Sequence, residues 1–178
     1  MQLSLAEKDF LKKLAYESIR TYFEGGQTPD LTLDSEILKK NCGAFVTIKI
    51  AGQLQGCIGY IQGIKPLYEA IIEMARAAAF DDHRFRQLQK SQLDQIDIEI
   101  SVLSPLQKIV NTDEIEVGKH GLIVRQGIYS GLLLPQVATE YNWDRETFLK
   151  HTCIKAGLPE NAYKESQTEI LIFSAEVF

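Results

Sequence analysis

The chain has 178 residues, of which 45% are hydrophobic, and its formal net charge is −5. This length and composition predict a globular protein with one substantial core or two small subdomains sharing one. The acidic balance argues against nucleic acid as a partner, because proteins that bind phosphate backbones carry basic patches. No apolar run reaches the length of a membrane span, and the N-terminus lacks the pattern of a signal peptide. We therefore expect a cytoplasmic protein without a membrane partner.

The cysteines and histidines show no metal-binding or disulfide pattern. The three cysteines are Cys42, Cys57 and Cys153. They are far apart and include no C-x-x-C pair, which predicts reduced thiols. The three histidines are His83, His120 and His151. They show no H-x-x-x-H spacing, so we predict no bound metal and no cofactor.

The first 80 residues predict helix, loop, hairpin and helix. Ser4 and Glu7 have the form of a capping box, and helical spacing follows until the glycines at 25 and 26. Residues 27–41 resemble a loop with at most a short helical turn. Residues 46–50 alternate apolar and polar side chains, and residues 54–61 follow as a second strand after a glycine-bearing turn, which predicts a β-hairpin. Pro66 then opens a helix with an apolar stripe that reaches residue 80.

The segment Leu54-Gln55-Gly56-Cys57-Ile58-Gly59 places one thiol between two glycines. Alternation in a regular strand predicts that Leu54, Gly56, Ile58 and Tyr60 share one face, opposite Gln55, Cys57, Gly59 and Ile61. Glycine inside a strand marks a bulge, a bend, or close approach by a ligand or another backbone. The alternative is that the glycines let a helix pack closely and that Cys57 is a small buried hydrophobe.

The helix after this hairpin is followed by Asp82-His83-Arg84-Phe85. One interpretation is simple helix termination with a local ion pair between Asp82 and Arg84. The other is contact with the Cys57 strand, because a short connection makes the hairpin and helix neighbours in space.

The second half repeats the order of elements. Residues 96–102 alternate cleanly and predict the strand that ends the first half. In the second half, Gly118-Lys119-His120-Gly121 predicts a tight turn into a strand at 122–125. The glycines at 127 and 131 are spaced like those at 52 and 56, and residues 132–134 continue the hairpin. Pro135 opens a short helix. A second helix is predicted to begin near Asn142 or Asp144, to bury Trp143 and to end at Gly157, and residues 169–175 are predicted to form the last strand. Each half thus predicts hairpin, helix and strand.

Several short segments together resemble the AMMECR domain family, of the AmmeMemoRadiSam system protein A type. They are residues 54–59, 82–85, 100–105, 118–122 and 133–138, Trp143 with Phe148-Leu149, and residues 153–158. The resemblance implies one α+β domain over residues 1–178, with an N-terminal helix at 1–24 and related halves at 43–105 and 118–178. The halves are expected to form two subdomains around a shared, largely antiparallel sheet. The family usually has arginine where this chain has Gln55.

The resemblance implies possible Memo-like and radical S-adenosylmethionine protein partners but no established activity. Our leading hypothesis is a binding or partner module with a groove near residues 54–59 that holds a small ligand, a modified side chain or a partner peptide. The candidate binding residues are Gln55, Gly56, Cys57, Gly59, Asp82, Arg84, Phe85, Lys119 and His120. The alternative is an enzyme in which Cys57 is a nucleophile or redox thiol and His120 or His83 is the base.

Overall fold

The computed structural model describes residues 2–27 and 35–178. It divides into two compact units, Met1–Leu103 with Glu176–Phe178 and Ser104–Ala175. Helices and antiparallel strands occur in both units, which confirms the α+β class. Residues 28–34, where a loop was predicted, lie outside the described residues. In the described ranges, no helix is both long and apolar enough to cross a membrane.

Where the structure describes it, the first unit contains two helices and three strands. Its elements are α1 (Leu5–Tyr22), β1 (Ala44–Ile50), β2 (Gln53–Tyr60), α2 (Leu67–Phe80), a 3₁₀ turn (Lys90–Gln95) and β3 (Ile96–Leu103). The predicted capping box is confirmed, because the Ser4 side chain accepts from the Glu7 amide and the Glu7 carboxylate accepts from the Ser4 amide. The hairpin and both helices also lie within a few residues of the positions that the sequence pattern predicts.

The strands of the first unit run in the order β2, β1, β3, and both pairings are antiparallel. One face carries Ala44, Val46 and Ile48 of β1, which are fully buried in the same apolar cluster as residues of α1 and α2. We call the opposite face of β1 and β2 the outer face. Thr47 and Lys49 lie on it, with their partners Cys57 and Leu54.

A β-bulge corrects the predicted arrangement of side chains on β2. Ile48 pairs with Gly56 and Lys49 pairs with Leu54, so Gln55 is an extra residue in the ladder. Directly paired residues share a face, and the bulge therefore moves Leu54 to the outer face, where it is 43% exposed. The prediction that Leu54 shares the core face with Ile58 and Tyr60 is wrong, because it assumed an unbroken alternation.

The second unit contains two helices and four strands. Its elements are β4 (Gln107–Ile109), a 3₁₀ turn (Thr112–Glu114), β5 (His120–Gln126), β6 (Tyr129–Leu133), α3 (Pro135–Glu140), α4 (Arg145–Lys155), a 3₁₀ turn (Ala162–Lys164) and β7 (Glu169–Val177). The antiparallel order is β6, β5, β7, β4. The sequence pattern missed β4, which has only three residues. The predicted start of α4 near Asp144 is confirmed, because Asp144 is its N-cap. Trp143 precedes the helix, is partly buried, and stacks with the rings of Tyr141 and His151.

The two hairpins pair their strands in the same order from the turn, but the first hairpin has one extra residue, Gln55. The third pair from the turn is Ile48 with Gly56 in the first unit and Val124 with Gly131 in the second. In the first turn, Ala51 and Gly52 both have positive φ. In the second turn, Gly127 has positive φ, and it occupies the first turn position, which corresponds to Ala51. Gly56 and Gly131 therefore occupy equivalent positions in the two hairpins, whereas Gly52 and Gly127 do not. The spacing of four residues is equal in both because the first hairpin contains the bulged residue Gln55.

Candidate functional site

Asp82 and Arg84 hold the backbone of Cys57 at the outer edge of β2. The Cys57 amide donates to Asp82 Oδ2 over 2.9 Å, and Arg84 Nη2 donates to the Cys57 carbonyl over 3.0 Å. Arg84 also donates from Nε to Asp82 Oδ1 and from Nη2 to Asp82 Oδ2, over 2.9 and 2.7 Å. We call this arrangement the edge clamp. It confirms both the predicted ion pair and the predicted contact between this turn and the hairpin.

The edge clamp contains a buried charge. Asp82 is only 7% exposed, while the Arg84 side chain is 62% exposed and lies against the ring of Phe85. The Arg84 hydrogen bonds hold the pKa of Asp82 far below its usual range, and the Asp82 hydrogen bond raises the pKa of Arg84. Both groups are therefore charged across the physiological pH range, and a neutral Asp82 would weaken the clamp.

Gly56 and Gly59 make room for atoms of the protein itself. A Cβ at Gly56 would lie 1.9 Å from the carbonyl oxygen of Ala78 near the end of α2. A Cβ at Gly59 would lie 2.3 Å from the ring of Phe45, its cross-strand partner. The alternative that a helix packs closely on the glycines is thus correct for Gly56, and an aromatic ring fills the space at Gly59.

The Cys57 side chain lies on the outer face and is half-buried. The Thr47 hydroxyl contacts its sulfur, with Oγ1 and Sγ 3.1 Å apart. Lys49 lies two residues along β1 on the same face and pairs with Glu99 of β3 over 2.9 Å. The sequence pattern missed both residues: a regular hairpin register would have placed Thr47 opposite Gly56, and the bulge at Gln55 is what brings it opposite Cys57.

Gln55 joins the hairpin to the segment after α2. Its Nε2 donates to the Arg86 carbonyl over 2.6 Å. A bulged residue has no partner in the ladder, which leaves its side chain available for such a contact. The resemblance predicts arginine at position 55. Here the neutral Gln55 side chain connects β2 to the segment that carries the edge clamp.

The Lys119-His120 turn belongs to the second unit and is organised around Glu116. Lys119 Nζ pairs with the Glu116 carboxylate over 2.8 Å, and His120 Nδ1 accepts from the Glu116 amide over 3.1 Å. His83 is exposed, and within the described residues no imidazole forms a hydrogen bond with the Cys57 sulfur. The roles of Lys119, His120 and His83 in binding or catalysis stay predictions.

The chain offers no clustered metal ligands in the part that the structure describes. There, no three histidine, cysteine or acidic side chains lie close enough together to hold an ion. The chemistry available at the candidate site is therefore that of a thiol, a hydroxyl and two ion pairs.

Comparison with known proteins identifies relatives over almost the whole chain. The family model described as AMMECR1 matches residues 12–178. A protein of Methanopyrus kandleri is 42% identical, with 99% of this chain and 90% of the relative covered. A protein of Thermococcus onnurineus is 43% identical, with 96% and 88% covered. The crystal structure of an uncharacterized protein from Pyrococcus horikoshii has 40% identity and a TM-score of 0.84, over 94% of this chain and 88% of that one.

Proposed function

The chain belongs to the AMMECR1 family, and we propose that it acts as a binding module whose recognition surface is the outer face together with residues 82–85. The occupant is a small ligand, a modified side chain or a partner peptide, and we favour a segment of a partner protein. Memo-like and radical S-adenosylmethionine proteins are the partners that the resemblance implies. The observation that carries the proposal is the half-buried Cys57 side chain, presented on a backbone that two charged side chains hold.

The composition of the outer face supports a protein partner. Leu54 supplies exposed apolar surface, Cys57 and Thr47 supply a thiol and a hydroxyl, and Lys49 forms a partly exposed ion pair with Glu99. Protein interfaces combine apolar contacts with a polar rim in this way, and a standard one covers about 800 Å² of each partner. A small ligand would need a deeper, more enclosed site.

The edge clamp supports binding by keeping the surface rigid. Asp82 is buried and charged, and it receives hydrogen bonds from Arg84 and from the Cys57 amide. Gln55 adds a further link between β2 and the same segment. A surface that is ordered before the partner arrives loses less conformational entropy on binding.

A surface substitution tests the proposal. Leu54→Arg places a charge at the most exposed apolar position of the outer face that the proposal uses, and Leu5→Arg is the matched control because Leu5 lies on α1 and is 79% exposed. We expect Leu54→Arg to weaken binding to a purified Memo-like or radical S-adenosylmethionine protein by about tenfold, a typical cost for a disrupted contact at an interface centre. Calorimetric titration measures this, and circular dichroism checks the fold.

Two outcomes would contradict the proposal. Equal affinities of the Leu54→Arg and Leu5→Arg variants would move the binding surface away from the outer face. Failure of the wild-type chain to bind either partner would remove the partners that the resemblance implies.

A further inference from the structure

The tip of the hairpin β5–β6 borders an open cavity in the second unit. The cavity has a volume of about 480 Å³. Its walls include Gln126, Ile128, Tyr129, Pro159, Glu165 and Gln167. None of these residues belongs to the outer face or the edge clamp, so the cavity is independent of the proposed function.

Glu165 is the single charged residue of the cavity lining. Its Oε2 accepts from Gln126 Nε2 over 2.8 Å and from Gln167 Nε2 over 3.0 Å. These bonds, that of Gln167 first, lower the pKa of Glu165, so the carboxylate is ionised at neutral pH. Within the described residues, its second oxygen, Oε1, has no hydrogen-bond partner. The cavity therefore presents one fixed negative charge with one unused acceptor.

Apolar groups line the cavity beside Glu165 and its two glutamine neighbours. Ile128 is 93% exposed and Tyr129 is 51% exposed, although both are large hydrophobic residues. Gly157 lies beside the Tyr129 ring, where a Cβ would come within 3.5 Å of it. Ile128, Tyr129 and Pro159 together offer an apolar surface against which an alkyl chain can lie, next to the Glu165 carboxylate. Such a combination complements a long side chain with an apolar stem and a cationic end.

We propose that this cavity binds a lysine side chain of another polypeptide, with its ammonium group on Glu165 Oε1 and its stem against Ile128, Tyr129 and Pro159. The choice of lysine follows from the acceptor geometry. A guanidinium group pairs best with two carboxylate oxygens at once, but Glu165 Oε2 already accepts two hydrogen bonds. An ammonium group is a compact charge that needs only the remaining oxygen.

The experiment is a titration of the full-length ¹⁵N-labelled chain, followed by NMR, with the peptide acetyl-Ala-Lys-Ala-amide. We expect saturable shifts at residues 126–129 and 165–167. The same peptide with acetyllysine or norleucine should bind about threefold more weakly, because it loses the exposed ion pair with Glu165, and the arginine peptide should also bind more weakly. Glu165→Gln should lower the affinity about threefold, as fits an exposed ion pair, while Glu160→Gln, an exposed acid outside the lining, should leave it unchanged.

Three results would overturn the proposal. Equal binding of the lysine and norleucine peptides would show that the charge is not recognised. An affinity unchanged by Glu165→Gln would remove the carboxylate from the site. Tighter binding of the arginine peptide would contradict the choice of lysine.

Discussion

The two hairpins of this protein use glycine for the same purpose and differ in what they place beside it. Gly56 faces the backbone of α2, and a Cβ at Gly131 would lie 2.4 Å from the Ala156 amide nitrogen at the end of α4. The next pair is Thr47 with Cys57 in the first unit and Ile123 with Leu132 in the second. The helix contact restricts the glycine in both units, whereas the neighbouring pair is polar in one and aliphatic in the other.

This difference indicates where specialisation lies. The backbone contacts that build a hairpin against a helix recur in both units. The contact between the Cys57 thiol and the Thr47 hydroxyl, and the edge clamp on the Cys57 backbone, belong to the first unit. The second unit places its glutamate-lined cavity at the turn of its hairpin instead. The common scaffold thus carries different surface chemistry in each half.

Substitution of the two helix-facing glycines should have the largest effect. Gly56→Val and Gly131→Val should each lower the free energy of unfolding by about 3 kcal/mol or more, because the new side chain meets helix backbone that cannot move aside cheaply. Leu54→Val, at an exposed position of the same strand, should change it by less than about 0.5 kcal/mol. Chemical denaturation measures all three. A tolerated Gly131→Val would break the equivalence of the hairpins.

Removal of the edge clamp should have an intermediate effect. Arg84→Ala leaves the buried Asp82 carboxylate without its cation and should cost about 2 kcal/mol of unfolding free energy. Lys150→Ala removes an exposed pair with Glu146 in the second unit and should leave the free energy of unfolding almost unchanged. Equal losses in the two variants would show that the clamp is no more than a surface ion pair.

The clamp also predicts a pH dependence. The pKa of Asp82 is lowered in the folded chain, so its contribution is complete above the unfolded-state pKa of about 4 and is lost as the pH falls below that value. Asp82→Asn should therefore be less stable than wild type at pH 7, and the difference should shrink as the pH falls from about 4. Urea denaturation at several pH values follows this, and a constant difference would contradict the assignment.

Replacement of the thiol should have the smallest effect on stability. Cys57→Ser should cost less than about 1 kcal/mol, because the sulfur is half-buried and a hydroxyl can also accept from Thr47. Iodoacetamide should label Cys57 faster than Cys42 or Cys153, whose pKa values are raised by burial. The rate at Cys57 should not exceed that of a small-molecule thiol.

Peptide mapping after alkylation separates the binding hypothesis from the enzyme hypothesis. Rapid labelling of Cys57 at pH 6 that is lost when His83 or His120 is replaced would contradict our prediction. It would favour a catalytic thiol with a histidine base.

The elements of the fold could be predicted because their signals are local. The capping box at Ser4, the alternation in β3 and the proline before α2 each depend on residues within one turn or strand. The bulge at Gln55 could not be predicted in the same way. A glycine such as Gly56 is compatible with a bulge, a bend or a close approach, and the order of side chains does not say which of these is present. Regular alternation therefore predicts the wrong face for Leu54.

The candidate site was predictable in part. The motif and the resemblance identified Cys57, Asp82 and Arg84 together, and the short connection through α2 indicated that they meet. The sequence could not indicate that the two charged side chains bind the backbone of Cys57 and leave its sulfur to Thr47. That arrangement depends on which way the amide of an edge strand points, and this follows from the register of the ladder.

The edge clamp has a consequence for the behaviour of the chain at high concentration. Strands at the border of a sheet carry unpaired amides and carbonyls that invite another chain to join, which is a common route to aggregation. At Cys57 both groups are already taken by Asp82 and Arg84. A second molecule could pair there only by displacing Asp82 and Arg84 from the Cys57 backbone, so these two side chains protect this point of the border against self-association.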